Sequence, residues 1–134
     1  MKVSIIYKNG KKVCQKITIH NDDLWNGDHT LALIIYPFLK KYNSQKLESY
    51  PSLFIQDYNN RNEEVENIEI KEWKNVLNKM IFSFECIATH KTYITEIENC
   101  FEWTEELVQK QLEHEKRIQE GLELFGKYFQ SLWI

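Results

Sequence analysis

Two periodicities divide this chain. Near the N-terminus the alternation has a period of two: Lys2-Val3-Ser4-Ile5-Ile6-Tyr7, then Lys12-Val13-Cys14-Gln15-Lys16-Ile17-Thr18-Ile19. Val13, Ile17 and Ile19 share one parity, so the second run has one apolar face. Asn9-Gly10 lies between the runs, and Asn-Gly suits a type I′ turn, which needs positive φ at both central residues. Residues 1–20 therefore predict a β-hairpin. A lone hairpin is marginal in water. It is expected to pack on helices, to gain a third strand, or to pair with another copy.

Beyond residue 20 the period becomes helical. Leu31 to Leu39 runs without a charge, and a helix apolar on all sides belongs in the middle of a fold. A central helix is expected over residues 24–42, capped by Asp23, Asn26 or Asp28. Pro37 should kink or interrupt it. The run is far shorter than the roughly 20 residues that span a bilayer, so no membrane partner is expected. Trp73, Val76, Leu77, Met80, Ile81, Phe84, Ile87 and Ala88 keep i, i+3, i+4, i+7 spacing and predict a core helix over 71–89. Ile118, Leu122, Phe125, Phe129 and Leu132 predict the inward seam of a long C-terminal helix over 104–133. Thr104 suits its N-cap, with Asn99 as an alternative start. Residues 43–69 read as irregular, with 57–64 an exposed loop, and Thr92-Tyr93-Ile94 as a possible short strand. The fold class is thus α+β, mainly α: one domain over 1–134, a hairpin packed on a three-helix core.

Composition narrows the class of function. The net charge is −3, which disfavours a nucleic-acid partner. Residues 1–50 hold 8 Lys/Arg against 4 Asp/Glu (+4), and residues 51–134 hold 9 against 16 (−7). The lysines of the hairpin read as a solvated edge, with a phosphate-contacting patch as the alternative. Cys14, Cys86 and Cys100 are odd in number and lack C-x-x-C spacing, which points to a reducing compartment without a disulfide frame. No signal peptide is apparent, so a cytoplasmic location is expected.

Candidate chemistry comes from polar residues on apolar faces. Following the C-terminal seam back from Ile118 passes through His114 and Gln111, with Arg117 beside them. Glu85 interrupts the edge of the second helix's stripe. Antiparallel packing would bring Glu85 near Gln111, His114 and Arg117, and an antiparallel first helix would add Trp25, Asp28 and His29. Three roles compete for this cluster. It can be a structural network of buried polar groups. It can bind a ligand, with Arg117 as a fork for phosphate and Trp25 as a stacking plate. It can hold a metal on Asp28, His29, Glu85 and His114, although the adjacent Asp28 and His29 point about 100° apart on a helix. No H-E-x-x-H, glycine-rich phosphate loop or G-x-S-x-G elbow is present. No catalytic residue, metal ligand or cofactor is assigned.

Three segments in order carry a resemblance. They are Trp25-x-x-Asp28-x-Thr30-Leu31-Ala32-x-Ile34-Ile35-x-Pro37, Trp73-x-x-Val76-Leu77-x-x-Met80-Ile81-x-x-Phe84-Glu85, and Arg117-Ile118-x-x-Gly121-Leu122-x-Leu124-Phe125-x-Lys127-Tyr128-Phe129-x-x-Leu132-Trp133. Together they resemble a family of small, mostly uncharacterised tailed-bacteriophage proteins, over most of residues 17–134. Many members end in an acidic residue after the last Trp, where this chain has Ile134. The resemblance implies a phage product in the host cytoplasm and transfers no activity. Small acidic phage proteins without catalytic motifs are often counter-defence factors. The expectation is a non-enzymatic protein that binds and sequesters a nucleotide-like host signal, and forms a homo-oligomer. The alternatives are a protein–protein inhibitor or accessory factor and, third, a metal-dependent phosphohydrolase.

Overall fold

The computed structural model describes residues 1–47, 49–91 and 104–133. The chain is mainly helical, with an N-terminal antiparallel hairpin set against three helices. Strands β1 (Lys2–Lys8) and β2 (Lys11–Thr18) are followed by α1 (Gly27–Asn43), α2 (Glu63–Ala88) and α3 (Glu105–Tyr128). Short 3-10 turns lie at Asn21–Leu24, Ser52–Phe54 and Phe129–Ser131. No helix among the described residues is long and apolar enough to cross a membrane.

The hairpin turns at Asn9 (φ 51°) and Gly10 (φ 72°), the positive pair expected of the Asn-Gly step. Val3 faces Ile17 and Ile5 faces Gln15, while Ile6 faces Cys14 and Tyr7 faces Lys12. The register shift leaves Val13 as an extra residue, a β-bulge. The root of the hairpin is tied to the helical body: the N-terminal ammonium pairs with Asp23 Oδ1 at 3.0 Å, and His20 N donates to Asp23 Oδ2 at 2.7 Å. These two bonds, the backbone amide first, hold the Asp23 carboxyl below its usual range. Every residue of both strands is nonetheless exposed.

The central element is α2, which corrects the expectation for the Leu31–Leu39 helix. Both α1 and α3 pack along α2, whereas no comparable packing joins α1 to α3. Helix α1 therefore has one covered side. Ala32 and Leu39 are fully buried there, while Leu31, Leu33, Ile34 and Phe38 are 40 to 56% exposed. An uncharged run shows that a helix tolerates burial; it does not supply a second neighbour. Helix α1 also continues through Pro37. Proline removes one amide from the ladder, and Pro37 sits on the exposed side.

Helix α2 begins at Glu63, eight residues before the sequence places it, with the Asn62 side chain accepting from Val65 N at 2.9 Å. Its stripe is the core as expected: Trp73, Leu77 and Met80 are fully buried, and Phe84 and Ala88 nearly so. Helix α3 starts at Glu105 behind Thr104, whose hydroxyl accepts from Leu107 N at 3.2 Å. It ends at Tyr128 and not at Trp133. Its most buried positions are Leu107, His114, Gly121 and Tyr128, a heptad spacing. Phe129, assigned to the seam by pattern, is exposed. The seam passes one residue earlier because Gly121 marks the closest approach: a Cβ there would overlap Ser83 and the Lys79 carbonyl. The possible strand at 92–94 and the alternative start at Asn99 lie outside the described residues.

Candidate functional site

The antiparallel pairing of α1 with α2 is fixed by contacts along their length. His29 meets Ala88, Tyr36 meets Glu85, and Asn43 meets Asn78. Helix α3 is antiparallel to α2 as well, with Lys79 bound to Glu120 and Ser83 Oγ donating to Arg117 O at 3.3 Å. The first turn of α1 and the middle of α3 thus converge on the C-terminal end of α2.

That end is built as a Schellman motif. Lys91 N donates to Cys86 O at 2.9 Å and His90 N to Ile87 O at 3.4 Å, with His90 in the left-handed region at φ 53°. Glycine normally fills this position, because an L side chain there costs about 1 kcal/mol or more. The imidazole of His90 stacks on His29, ring centroids 4.2 Å apart and 18° from parallel. The carbonyls left over by the helix end are taken by histidines of the other two helices. His29 Nε2 donates to Ala88 O at 3.1 Å and His114 Nε2 to Lys91 O at 3.3 Å. A carbonyl can only accept, so each Nε2 carries the hydrogen.

Beside this clasp lies a cleft of about 290 Å³. Cys86, Ile87 and Ile118 give it an apolar floor, and Asn26, Asp28, His29, His90 and Lys91 a polar rim. Asn26 is the N-cap of α1, yet its side chain makes no capping bond. Lys91 also reaches Glu85, Nζ to Oε1 at 3.9 Å, while Glu85 accepts from the Tyr36 hydroxyl at 3.0 Å.

The expected cluster is therefore assembled in part. Asp28 and His29 line the cleft, and Glu85 and His114 reach it through Lys91. Trp25, next to the cleft-lining Asn26, is 88% exposed. Arg117 does not join them. Its guanidinium lies over the Phe82 ring, 3.9 Å from the centroid, in a separate depression with Asn78, Lys79 and Glu120. Gln111 turns along its own helix and donates to Glu115 at 2.9 Å. Gln111 and Arg117 stand one turn to either side of His114 and share its side of the helix. What keeps them from the cleft is their own partners: Glu115 for Gln111 and, for Arg117, the Phe82 ring, which His114 also meets. Sequence reasoning missed His90 and Lys91, which follow the end of the predicted helix. The signal was present: a residue just past a helix terminus supplies its C-cap.

The opposite end of α2 holds a second polar cluster that the sequence reading passed over. Glu69 is fully buried. Its Oε1 accepts from Gln56 N at 2.9 Å and Arg61 Nη1 at 3.0 Å, and its Oε2 from the Tyr50 hydroxyl at 2.6 Å and Arg61 Nη2 at 2.8 Å. The bidentate Arg61 fork, with Tyr50 and Gln56 behind it, holds the Glu69 carboxyl down at about 2. Burial pushes the Tyr50 hydroxyl up, and its bond to Glu69 adds to this. Stepping the α2 stripe back four residues from Trp73 lands on Glu69, so the pattern marked this acid as inward-facing.

No family model matches the chain, and no curated protein or solved structure shows significant similarity to it.

Proposed function

We propose that the chain is a non-catalytic binding protein that holds a small anionic, nucleotide-like molecule at the cleft beside the C-terminal end of α2. Its biological setting is that of a phage counter-defence factor withholding a signal in the host cytoplasm. The observation that carries this reading is His90, kept in a conformation that favours glycine and stacked on His29 at the rim of a concave, apolar-floored cleft. Local backbone strain of this kind concentrates at functional sites. The antiparallel pairing also sets the N-terminal turn of α1, a positive helix end, against the carbonyl end of α2. His29 and His114 take up carbonyls that would repel an anion. Lys91 supplies a cation, and Trp25 next door offers a ring for stacking a base. Holding fits better than turnover, because the Nε2 of His29 is already committed to a backbone carbonyl. The volume sits at the lower end of the roughly 300–1,000 Å³ of ligand pockets, so it suits part of such a molecule.

The test is a panel of mononucleotides and cyclic dinucleotides scored by thermal shift, with the recovered ligand checked for integrity. One or more should raise the melting midpoint and return intact. His90→Gly separates fold from function: relief of the strained φ should leave stability equal or higher by about 1 kcal/mol, while binding is lost. Arg117→Ala, outside the cleft, should bind as the parent does. Equal binding by His90→Gly and the parent would remove the cleft from the account.

A second reading, an inhibitor or accessory factor acting through protein contacts, draws support from Leu24 and Trp25, 69 and 88% exposed side by side. No thermal shift across the panel, together with capture of one host protein that Trp25→Ala abolishes, would favour it. The metal-dependent reading gains no support: among the described residues no three His, Cys, Asp or Glu side chains are grouped to hold a metal ion.

A further inference from the structure

Two apolar surfaces lie open among the described residues, and they match. The strand register puts Val3, Ile5, Tyr7 and Ile17 on one face of the hairpin, each 44 to 57% exposed, with Gln15 opposite Ile5 and Lys12 opposite Tyr7. The other face is the more polar one: Lys2, Ser4, Lys8, Lys11, Lys16 and Thr18 lie there, with Ile6 and Cys14 between them. On α1, Leu31, Ile34 and Phe38 recur at i, i+3 and i+7 and form a stripe away from Ala32 and Leu39. The seven residues of β1 extend about 23 Å, and the 17 residues of α1 about 25 Å.

We infer that a second copy of this chain covers both surfaces: each hairpin lays its apolar face along the α1 stripe of the other copy, across a two-fold axis. Charge favours the body of a second copy over its hairpin, although α1 itself holds Asp28 against Lys40 and Lys41 and the acidic surplus lies on the neighbouring α2 and α3. Residues 1–20 carry five lysines and no acid, +5, so the rest of a chain of net −3 carries −8. A basic arm on an acidic body is drawn to the body of another copy and repelled by a second arm, which disfavours hairpin stacking on hairpin. Area agrees. Val3, Ile5, Tyr7, Ile17, Leu31, Ile34 and Phe38 expose on the order of 700 Å² per copy at roughly 100 Å² each, close to the about 800 Å² each partner gives an ordinary interface. The hairpin's root is pinned at Asp23, and no residue of either strand is buried against its own body. The contact is isologous, so it closes at two copies.

Sedimentation equilibrium of the full chain tests this. The parent should sediment at twice the chain mass of 16.2 kDa. Ile17→Lys breaks the hairpin face and Ile34→Lys the α1 stripe, with the same change in charge. Each alone should dissociate at least tenfold more readily. An equimolar mixture should reassemble in part, since it retains one intact hairpin-to-α1 contact that neither variant has alone. Circular dichroism checks folding, and Ile5→Thr with Phe38→Ser is the fallback pair. A monomeric parent, a dimer lost with Ile17→Lys but kept with Ile34→Lys, or a mixture that stays apart would each overturn the assignment. None of these results bears on the nucleotide panel, which reads the cleft at the other side of α1's first turn.

Discussion

The two ends of α2 are both polar and both touch other parts of the chain, yet they are built on opposite principles. At the N-terminal end one buried carboxylate meets four donors, and both of its oxygens are used twice. That carboxylate has nothing left to offer a ligand. At the C-terminal end the helix carbonyls are held by side chains from two other helices, and the cleft beside them keeps a cation, an acid and two ring faces on its rim. A saturated cluster fixes a fold, whereas a cluster with spare capacity beside a concavity can also bind. Number of polar residues does not separate the two; the count of unused donors and acceptors does.

The sharpest way to break the contrast is to make the saturated end unsaturated. Arg61→Ala leaves Glu69 buried with its strongest partner gone. The melting midpoint should fall by on the order of 10 °C, measured by circular dichroism, while a ligand that binds the cleft keeps its thermal shift. The pH response follows from the same carboxylate. Its folded value of about 2 lies below the ordinary 4.5, so its contribution to stability is complete above 4.5 and is lost as pH falls from there towards 2. Melting midpoints of the parent should drop more steeply across that window than those of Glu69→Gln. The smallest effects belong to the open end. His29→Ala and His114→Ala each free one carbonyl at a helix terminus and should each lower urea-derived stability by about 1 kcal/mol. A loss of several kcal/mol from either would mean that this end too is chiefly structural.

Much of the architecture was legible before any coordinates. The hairpin was written in Asn9-Gly10, the α2 core in the spacing from Trp73 to Ala88, and the antiparallel pairing of α2 with α3 in the length of their connection, whereas the long link over residues 43–69 left the direction of α1 open. Neighbour relations were less legible. The run Leu31–Leu39 named the most apolar helix, but centrality depends on how many helices touch it, and α2 holds that position. In the site, periodicity placed His114 inward correctly, because burial on a helix face is a local property. It put Arg117 in the same group because i+3 shares a face, but a shared face does not fix where a long side chain ends; here the guanidinium lies over Phe82, one turn further from the cleft. His90 and Lys91 escaped because their role comes from helix-end geometry. Glu69 escaped because a charged residue in a charged stretch looks solvated until its partners, 8 and 19 residues away, are seen to converge.

Gly121 carries a mechanical consequence. Its bare Cα sits against Ser83 and the Lys79 carbonyl, where any Cβ would collide. Slipping α3 by one turn would drive Phe125 or Arg117 into that notch, so the pair has a single permitted setting and cannot ratchet.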